Sequence, residues 1–176
     1  MAAFDADTDL SQDRAYLLMR NSPATLFWRR ELLEDTTAWL TVHGYQVTVL
    51  DASGWWTDED MHRAVAAALS FPDYYGRNLD ALNDCMRDVV SQDYGWAAGT
   101  TGLAIVFTGY DAFATHRPRE AHVVLDILAD HSRAAALLGR RLMCLVQSDD
   151  PKITFPPVGA TAAQWNDAEW ADSRRR

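Results

Sequence analysis

Residues 102–109, GLAIVFTG, form an almost unbroken apolar run of strand length. Such a run is stable only where both faces of a sheet are covered. Two further segments share its character: residues 45–50, YQVTVL, rich in β-branched side chains, and residues 141–148, RLMCLVQS. Helical patterns separate them. One runs from Thr57 or Asp58, either a good N-cap, to Pro72; a second starts behind Asn78; the longest opens at Pro118 and stops at Gly139. Strands joined through helices pair in parallel, so the pattern predicts an α/β fold, a three-stranded parallel sheet packed by helices.

At 176 residues the chain supports one core and is short for two domains. Residues 1–13 are acidic and polar and read as loose. AYLLMRNSPATLFWR, residues 15–29, offers two short apolar runs around NSP, read as a hairpin or two short strands. A helical pattern with Leu32, Leu33, Trp39, Leu40 and Val42 follows, ending at Gly44 as C′ residue. The division is an N-terminal extension over 1–44, with short strands and a helix packing on the core, a domain over 45–148, and a Pro-rich C-terminal tail over 149–176. Trp165 and Trp170 are expected to dock that tail.

Twenty-five acidic residues against sixteen basic ones give a formal charge of −9. An acidic surface repels phosphate backbones, which argues against direct nucleic-acid binding and favours a basic protein partner. The N-terminus has neither a basic n-region nor an apolar h-region, and no run approaches a membrane span, so a cytoplasmic protein is expected. Cys85 and Cys144, far apart and each within an apolar segment, read as buried reduced thiols rather than a disulfide or zinc site.

The most unusual feature is FPDYYGRNLDALNDCMRD, residues 71–88, which places Asp80, Asp84 and Asp88 four residues apart on one face of a short helix. Like charges at this spacing repel by a few tenths of a kcal/mol per pair, roughly. Asp80 lies in the first turn, where the helix dipole favours negative charge, but Asp84 has no such support and Asp is a poor interior helix former. Arg87 is a local partner for Asp84, worth about 0–1 kcal/mol when exposed. The residues alone leave two readings: a solvated acidic face, or a rigid row of carboxylates about 6 Å apart that imitates phosphates before a basic groove. The preceding tyrosines, Tyr74 and Tyr75, resemble the aromatic component of binding surfaces.

FPDYYGRNLDALNDC, residues 71–85, resembles the signature of the barstar family, intracellular inhibitors of barnase-type secreted ribonucleases, and the element order is similar from Tyr45 to about Ser148. The resemblance implies a three-stranded parallel sheet and an inhibitory surface on the second helix of the domain and the loop before it. It maps Tyr74 to a tyrosine that packs on the nuclease, Gly76 to a loop glycine, and Asp80 and Asp84 to aspartates that enter the nuclease site, Asp84 being the dominant one. The long-helix acidic contact falls at Asp130. Tyr75, Asn78, Asn83 and Arg87 complete the expected partner-binding set. Asn83 departs from the pattern, because well-studied inhibitors often carry tryptophan there. The implied partner is a basic secreted ribonuclease bound by a monomer one to one, with no cofactor and no catalysis. The alternative is a module of the same fold turned to another basic toxin or nuclease.

None of the common dinucleotide, P-loop, serine-hydrolase or zinc-protease motifs occurs. An Asp80–Asp84 acid–base pair would need a pocket that splits the two pKa values, and nothing in the sequence suggests one. His122, Asp126 and Asp130 have helical spacing, but such a row usually means a solvated face, so no metal is expected.

Overall fold

The computed structural model describes residues 3–175; Met1, Ala2 and Arg176, the outermost residues of the first thirteen and of the tail, lie outside the described residues. Asp13 opens α1 (Arg14–Asn21) by accepting the Tyr16 N–H at 3.0 Å. Pro23 lacks an N–H and forces extended backbone on Ser22, which closes the helix. The first apolar run around NSP is therefore helical, not the strand or hairpin arm its pattern suggested. Ala15 and Leu18, three apart, meet one core cluster, and that spacing decides for helix. The second run is the buried strand β1 (Ala24–Phe27).

The next helix, α2 (Arg30–Val42), buries Leu33 and Leu40 and ends before Gly44, whose φ of +81° suits a residue without Cβ. β2 (Tyr45–Asp51) follows. α3 (Asp58–Ala68) starts with a capping box between Thr57 and Asp60, and Asn78 caps α4 (Leu79–Ser91) by accepting the Ala81 N–H at 2.8 Å. After β3 (Gly102–Thr108) come α5 (Tyr110–His116) and α6 (Pro118–Leu137), with Pro118 in the first turn. β4 (Leu142–Gln147) and the two-residue β5 (Gln164–Trp165) complete the chain.

All strand pairs are parallel, in the order β2-β3-β4-β1-β5. The sheet thus has five strands rather than the expected three. β2, β3 and β4 pair as the sequence indicated; β1 adds along β4, with Ala24 opposite Cys144 and Phe27 opposite Gln147, and β5 adds Gln164 opposite Thr25. Segments of four and two residues are too short to carry a periodic signal, and their pairing is visible only in three dimensions.

Alternation along the strands divides the core. Leu103, Ile105, Phe107, Leu142, Cys144 and Val146 face Met61 and Val65 of α3, Leu82 and Met86 of α4, and Val124 and Leu128 of α6. Ala104, Val106, Met143 and Leu145 face Ala15 of α1 and Leu33 and Leu40 of α2. The sheet is covered on both sides, as the run at 102–109 required. Cys85 and Cys144 are buried free thiols, and burial pushes the Cys144 thiol far up.

At the N-terminus Phe4 packs edge-on against Tyr16, and the Arg141 guanidinium lies 4.2 Å from its ring centre, so this acidic segment is docked rather than loose. The tail is held by Ile153, Val158 and a fully buried Glu169. The Glu169 carboxylate accepts the backbone N–H groups of Trp28 (2.8 Å) and Arg29 (2.9 Å) just before α2, Arg29 Nε at 3.2 Å and Asn166 Nδ2 at 2.6 Å. Trp165 stacks under Arg175, whereas Trp170 is half exposed and does not dock the tail. Among the described residues no helix is long and apolar enough to cross a membrane.

Candidate protein interface

The loop into α4 is built on Phe71 and Tyr75. Their rings meet edge to face at 4.9 Å, and the Tyr75 hydroxyl hydrogen-bonds His62 Nδ1 at 2.5 Å. Tyr75 is only 8% exposed, so its side chain holds the loop from below instead of facing a partner. Burial raises its phenol well above the usual range and lowers the His62 imidazole. Its neighbour Tyr74 points outward, 80% exposed. The loop backbone makes this opposition possible: Tyr75 N–H closes a turn on the Pro72 carbonyl at 2.9 Å, and Arg77 takes a φ of +48° while pairing with Glu59. Gly76 is exposed, and a Cβ there would lie 3.3 Å from Asn78 Nδ2 and 3.4 Å from Ala81 Cβ.

Along α4 the three aspartates part company. Asp80, in the first turn, is exposed and has no ion-pair partner among the described residues. Asp84 is 67% exposed and meets Arg87 at 3.1 Å. Asp88 is turned inward enough to accept the Tyr94 hydroxyl at 3.1 Å; burial first, and then hydrogen bonding around it, raise that phenol. The expected stripe is therefore two exposed carboxylates, one of them paired with Arg87, and a third engaged in fixing the loop after the helix. Four residues of helix rise set Asp80 and Asp84 about 6 Å apart along the axis.

α6 packs beside α4, and its Asp130 is 71% exposed with Arg133 at 3.2 Å. A buried contact joins the helices at this level. His131 Nε2 lies 2.9 Å from the Asn83 carbonyl and 3.0 Å from Asn83 Oδ1, both acceptors, so Nε2 carries the proton and donates. Burial lowers the His131 pKa. Asn83 and Asp84 are adjacent in sequence, as are His131 and Asp130, so this hydrogen bond fixes the relation between the two carboxylates. Asn83, half-buried, thus engages the neighbouring helix through its side chain. His131 could have been found from sequence, since it falls on the core side of α6 one residue after an outward aspartate.

The other members of the long-helix row meet the C-terminal tail. His122 Nε2 donates to the Pro157 carbonyl at 2.9 Å, and Asp126 Oδ1 accepts the Gly159 N–H at 2.6 Å. The tail occupies both, a relation no local pattern announces. Elsewhere, a cavity of 260 Å³ lies between α1, α2, β1 and β5, lined by Leu17, Leu18, Phe27, Leu32 and Trp165 among others. It belongs to the α1/α2 side of the sheet and is remote from the α4–α6 carboxylates.

Comparison with known proteins accords with this geometry. The family model described as Barstar (barnase inhibitor) matches residues 45–147, from the first residue of β2 to the last of β4. A similar protein from Bacillus subtilis (strain 168), named "Putative ribonuclease inhibitor YrdF", is 32% identical over 82 residues, which is 47% of this chain and 80% of that protein. The matched residues carry α3, the tyrosine loop, α4, α6 and three of the five strands, and the chain belongs to the Barstar family.

Proposed function

We propose that this protein is a ribonuclease inhibitor that blocks a basic, secreted bacterial ribonuclease by presenting helix carboxylates where substrate phosphates would lie. The observation that carries the reading is the exposure of Asp80 and Asp84 on α4, beside an outward Tyr74 and level with Asp130 on α6. Asp84 is the central anchor: it enters the cationic site and exchanges its Arg87 partner for the cations of the nuclease. An exposed pair of that kind is worth about 0–1 kcal/mol, so the exchange costs little. Asp80 and Asp130 flank it, and Tyr74 contributes apolar area at the rim. Asn78 caps α4, Tyr75 and His62 hold the loop, and the Asn83–His131 bond sets the spacing of the helices. Nothing in this action is catalytic; the complex is one to one, and the inhibitor meets its target in the cytoplasm before export. The acidic balance of the chain speeds encounter with a basic partner.

Residues 45–148 are the unit that carries this activity, with 1–44 and 149–176 as elaborations around it. A second reading is favoured by one departure: Asn83 is committed to His131 where related inhibitors often present tryptophan, which suits a differently shaped basic toxin or nuclease.

The test is RNA cleavage by a panel of barnase-type ribonucleases titrated with the wild-type protein and with Asp84→Ala. Stoichiometric loss of activity with wild type, and affinity weakened about 100-fold or more in the variant, is expected from truncating a desolvated charge partner. Inhibition unchanged by Asp84→Ala refutes the anchor, and absence of inhibition across the panel moves the assignment to another basic protein.

A further inference from the structure

The outward ridge of α6 is occupied by the chain's own tail. Positions 122, 126, 129 and 133 fall within about 60° of one another at about 100° per residue, and all four touch residues 157–159. His122 and Asp126 provide the hydrogen bonds described above. Gly159 lies so close that an added Cβ would stand 2.7 Å from Ala129 Cβ and 2.9 Å from the Arg133 guanidinium. The turn closes on itself through paired backbone hydrogen bonds between Val158 and Thr161, of 2.7 and 3.1 Å, with Val158 buried beneath it. Its crest consists of Pro156, Pro157, Ala160 and Thr161, exposed and uncharged.

Around α6, Asp130 lies about 70° from the middle of this ridge, in the direction of His131, which reaches Asn83 on α4. The order across the surface is therefore tail turn, Asp130, then α4 with Asp84. Arg133 links the first two, since it pairs with Asp130 and backs Gly159. Resting on the inhibitor reading above, we infer that residues 156–161 form a wall of the nuclease-binding surface: an uncharged crest fixed to α6, against which the rim of the basic partner packs while its cationic centre receives Asp84 and Asp130. The wall lies beyond residues 45–147, so it distinguishes this chain's surface from that of the matched domain alone. The fitting partner is basic out to the rim that meets this crest, so a charge placed on the crest is felt with opposite signs by Lys and Asp. By occupying Asp126, the turn also leaves Asp130 as the outward carboxylate of this helix at the level of Asn83.

Ala160 is the position to perturb. It is exposed, at the crest, and has a φ of +63°, a conformation that tolerates Asp and that Lys reaches with the same strain as Ala. Ala160→Lys and Ala160→Asp are compared for affinity toward one inhibited ribonuclease, beside Val42→Lys and Val42→Asp at an exposed position after the α2 helix core on the other side of the sheet. The expected result is a shift of about 3–10-fold in Kd at position 160, weaker with Lys and tighter with Asp, and under about 2-fold at position 42. Opposite signs exclude a folding defect, which would move both variants alike. Wild type and Asp84→Ala run in the same series. If these behave as an inhibitor and its anchor variant should, while the position-160 variants bind no differently from the position-42 variants, the wall is refuted and the inhibitor stands. If wild type binds no ribonuclease, the inhibitor reading and the wall fall together.

Discussion

Replacing Glu169 by alanine should be the most destabilising single change in the tail, although the residue lies far from any element of the matched domain in sequence. Its carboxylate is fully buried and accepts four hydrogen bonds: the Trp28 and Arg29 N–H groups, Arg29 Nε and Asn166 Nδ2. Alanine removes both acceptor oxygens and with them all four hydrogen bonds. Two backbone donors that precede α2 then lose their partner, each worth about 1–3 kcal/mol if water does not replace it. Arg29 is still partly hydrated and keeps Asp172 at 3.8 Å, so its share is smaller. The sum is about 3 kcal/mol, within the range for breaking a buried pair by removing one partner and a sizeable fraction of a typical 5–15 kcal/mol stability. For a chain of this size the melting temperature should fall by about 6–12 °C. Glu169→Gln keeps the shape but turns an NH2 toward a donor, and should lie between wild type and alanine. Urea denaturation read by fluorescence and by far-UV dichroism gives the free energy directly. A loss under about 1 kcal/mol for Glu169→Ala would refute the argument that this carboxylate anchors the tail.

Asp84→Ala and Tyr74→Ala should leave stability within about 1 kcal/mol of wild type in the same denaturation experiment, because both side chains are exposed and the Arg87 pair is a surface pair. Acidification should weaken the fold through two buried histidines. Burial depresses the His62 and His131 pKa values in the folded state, so the unfolded chain binds more protons below pH 6.5 and stability falls as the pH drops through that point. Melting curves between pH 7.5 and 5 should show the decline, and His131→Gln should make it shallower. Gly95→Ala should cost about 2 kcal/mol or more, since φ is +71° and the new Cβ would stand 2.4 Å from the Leu69 carbonyl oxygen; unchanged urea midpoints would contradict the geometry.

The legible parts of this fold were those whose side chains are locally periodic. The runs at 102–109 and 141–148 read directly as strands because both of their faces are buried, the edge run at 45–50 did so through its β-branched residues, and Asn78, Thr57 and Pro118 marked helix starts through cap chemistry. β1 and β5 were not legible as sheet members, because their pairing depends on positions more than a hundred residues away. The segment before NSP misled for a related reason: AYLLM is apolar in either conformation, and the decision lay with Asp13 as cap and with Ala15 and Leu18 sharing one face.

The shared exposed face of Asp80 and Asp84 was readable from i,i+4 spacing, whereas the separate duty of Asp88 was not, since it depends on Tyr94 folding back after α4. Tyr74 and Tyr75 carry identical local signals and differ only because His62 and Phe71 receive one of them. His122 and Asp126 looked like open members of an acidic face, and the tail turn that engages them comes from 35 and 33 residues further on.

If the α4 and α6 carboxylates take the place of substrate phosphate, the inhibitor and a small active-site ligand must compete for the nuclease. A ribonuclease inhibited by this protein should be titrated with it in the presence of increasing concentrations of a mononucleotide that occupies the nuclease active site. Mutually exclusive binding is expected: the apparent Kd rises linearly with mononucleotide concentration, and Asp84→Ala weakens binding at every concentration. An apparent Kd that stays constant under saturating mononucleotide, with a ternary complex detected, would contradict it.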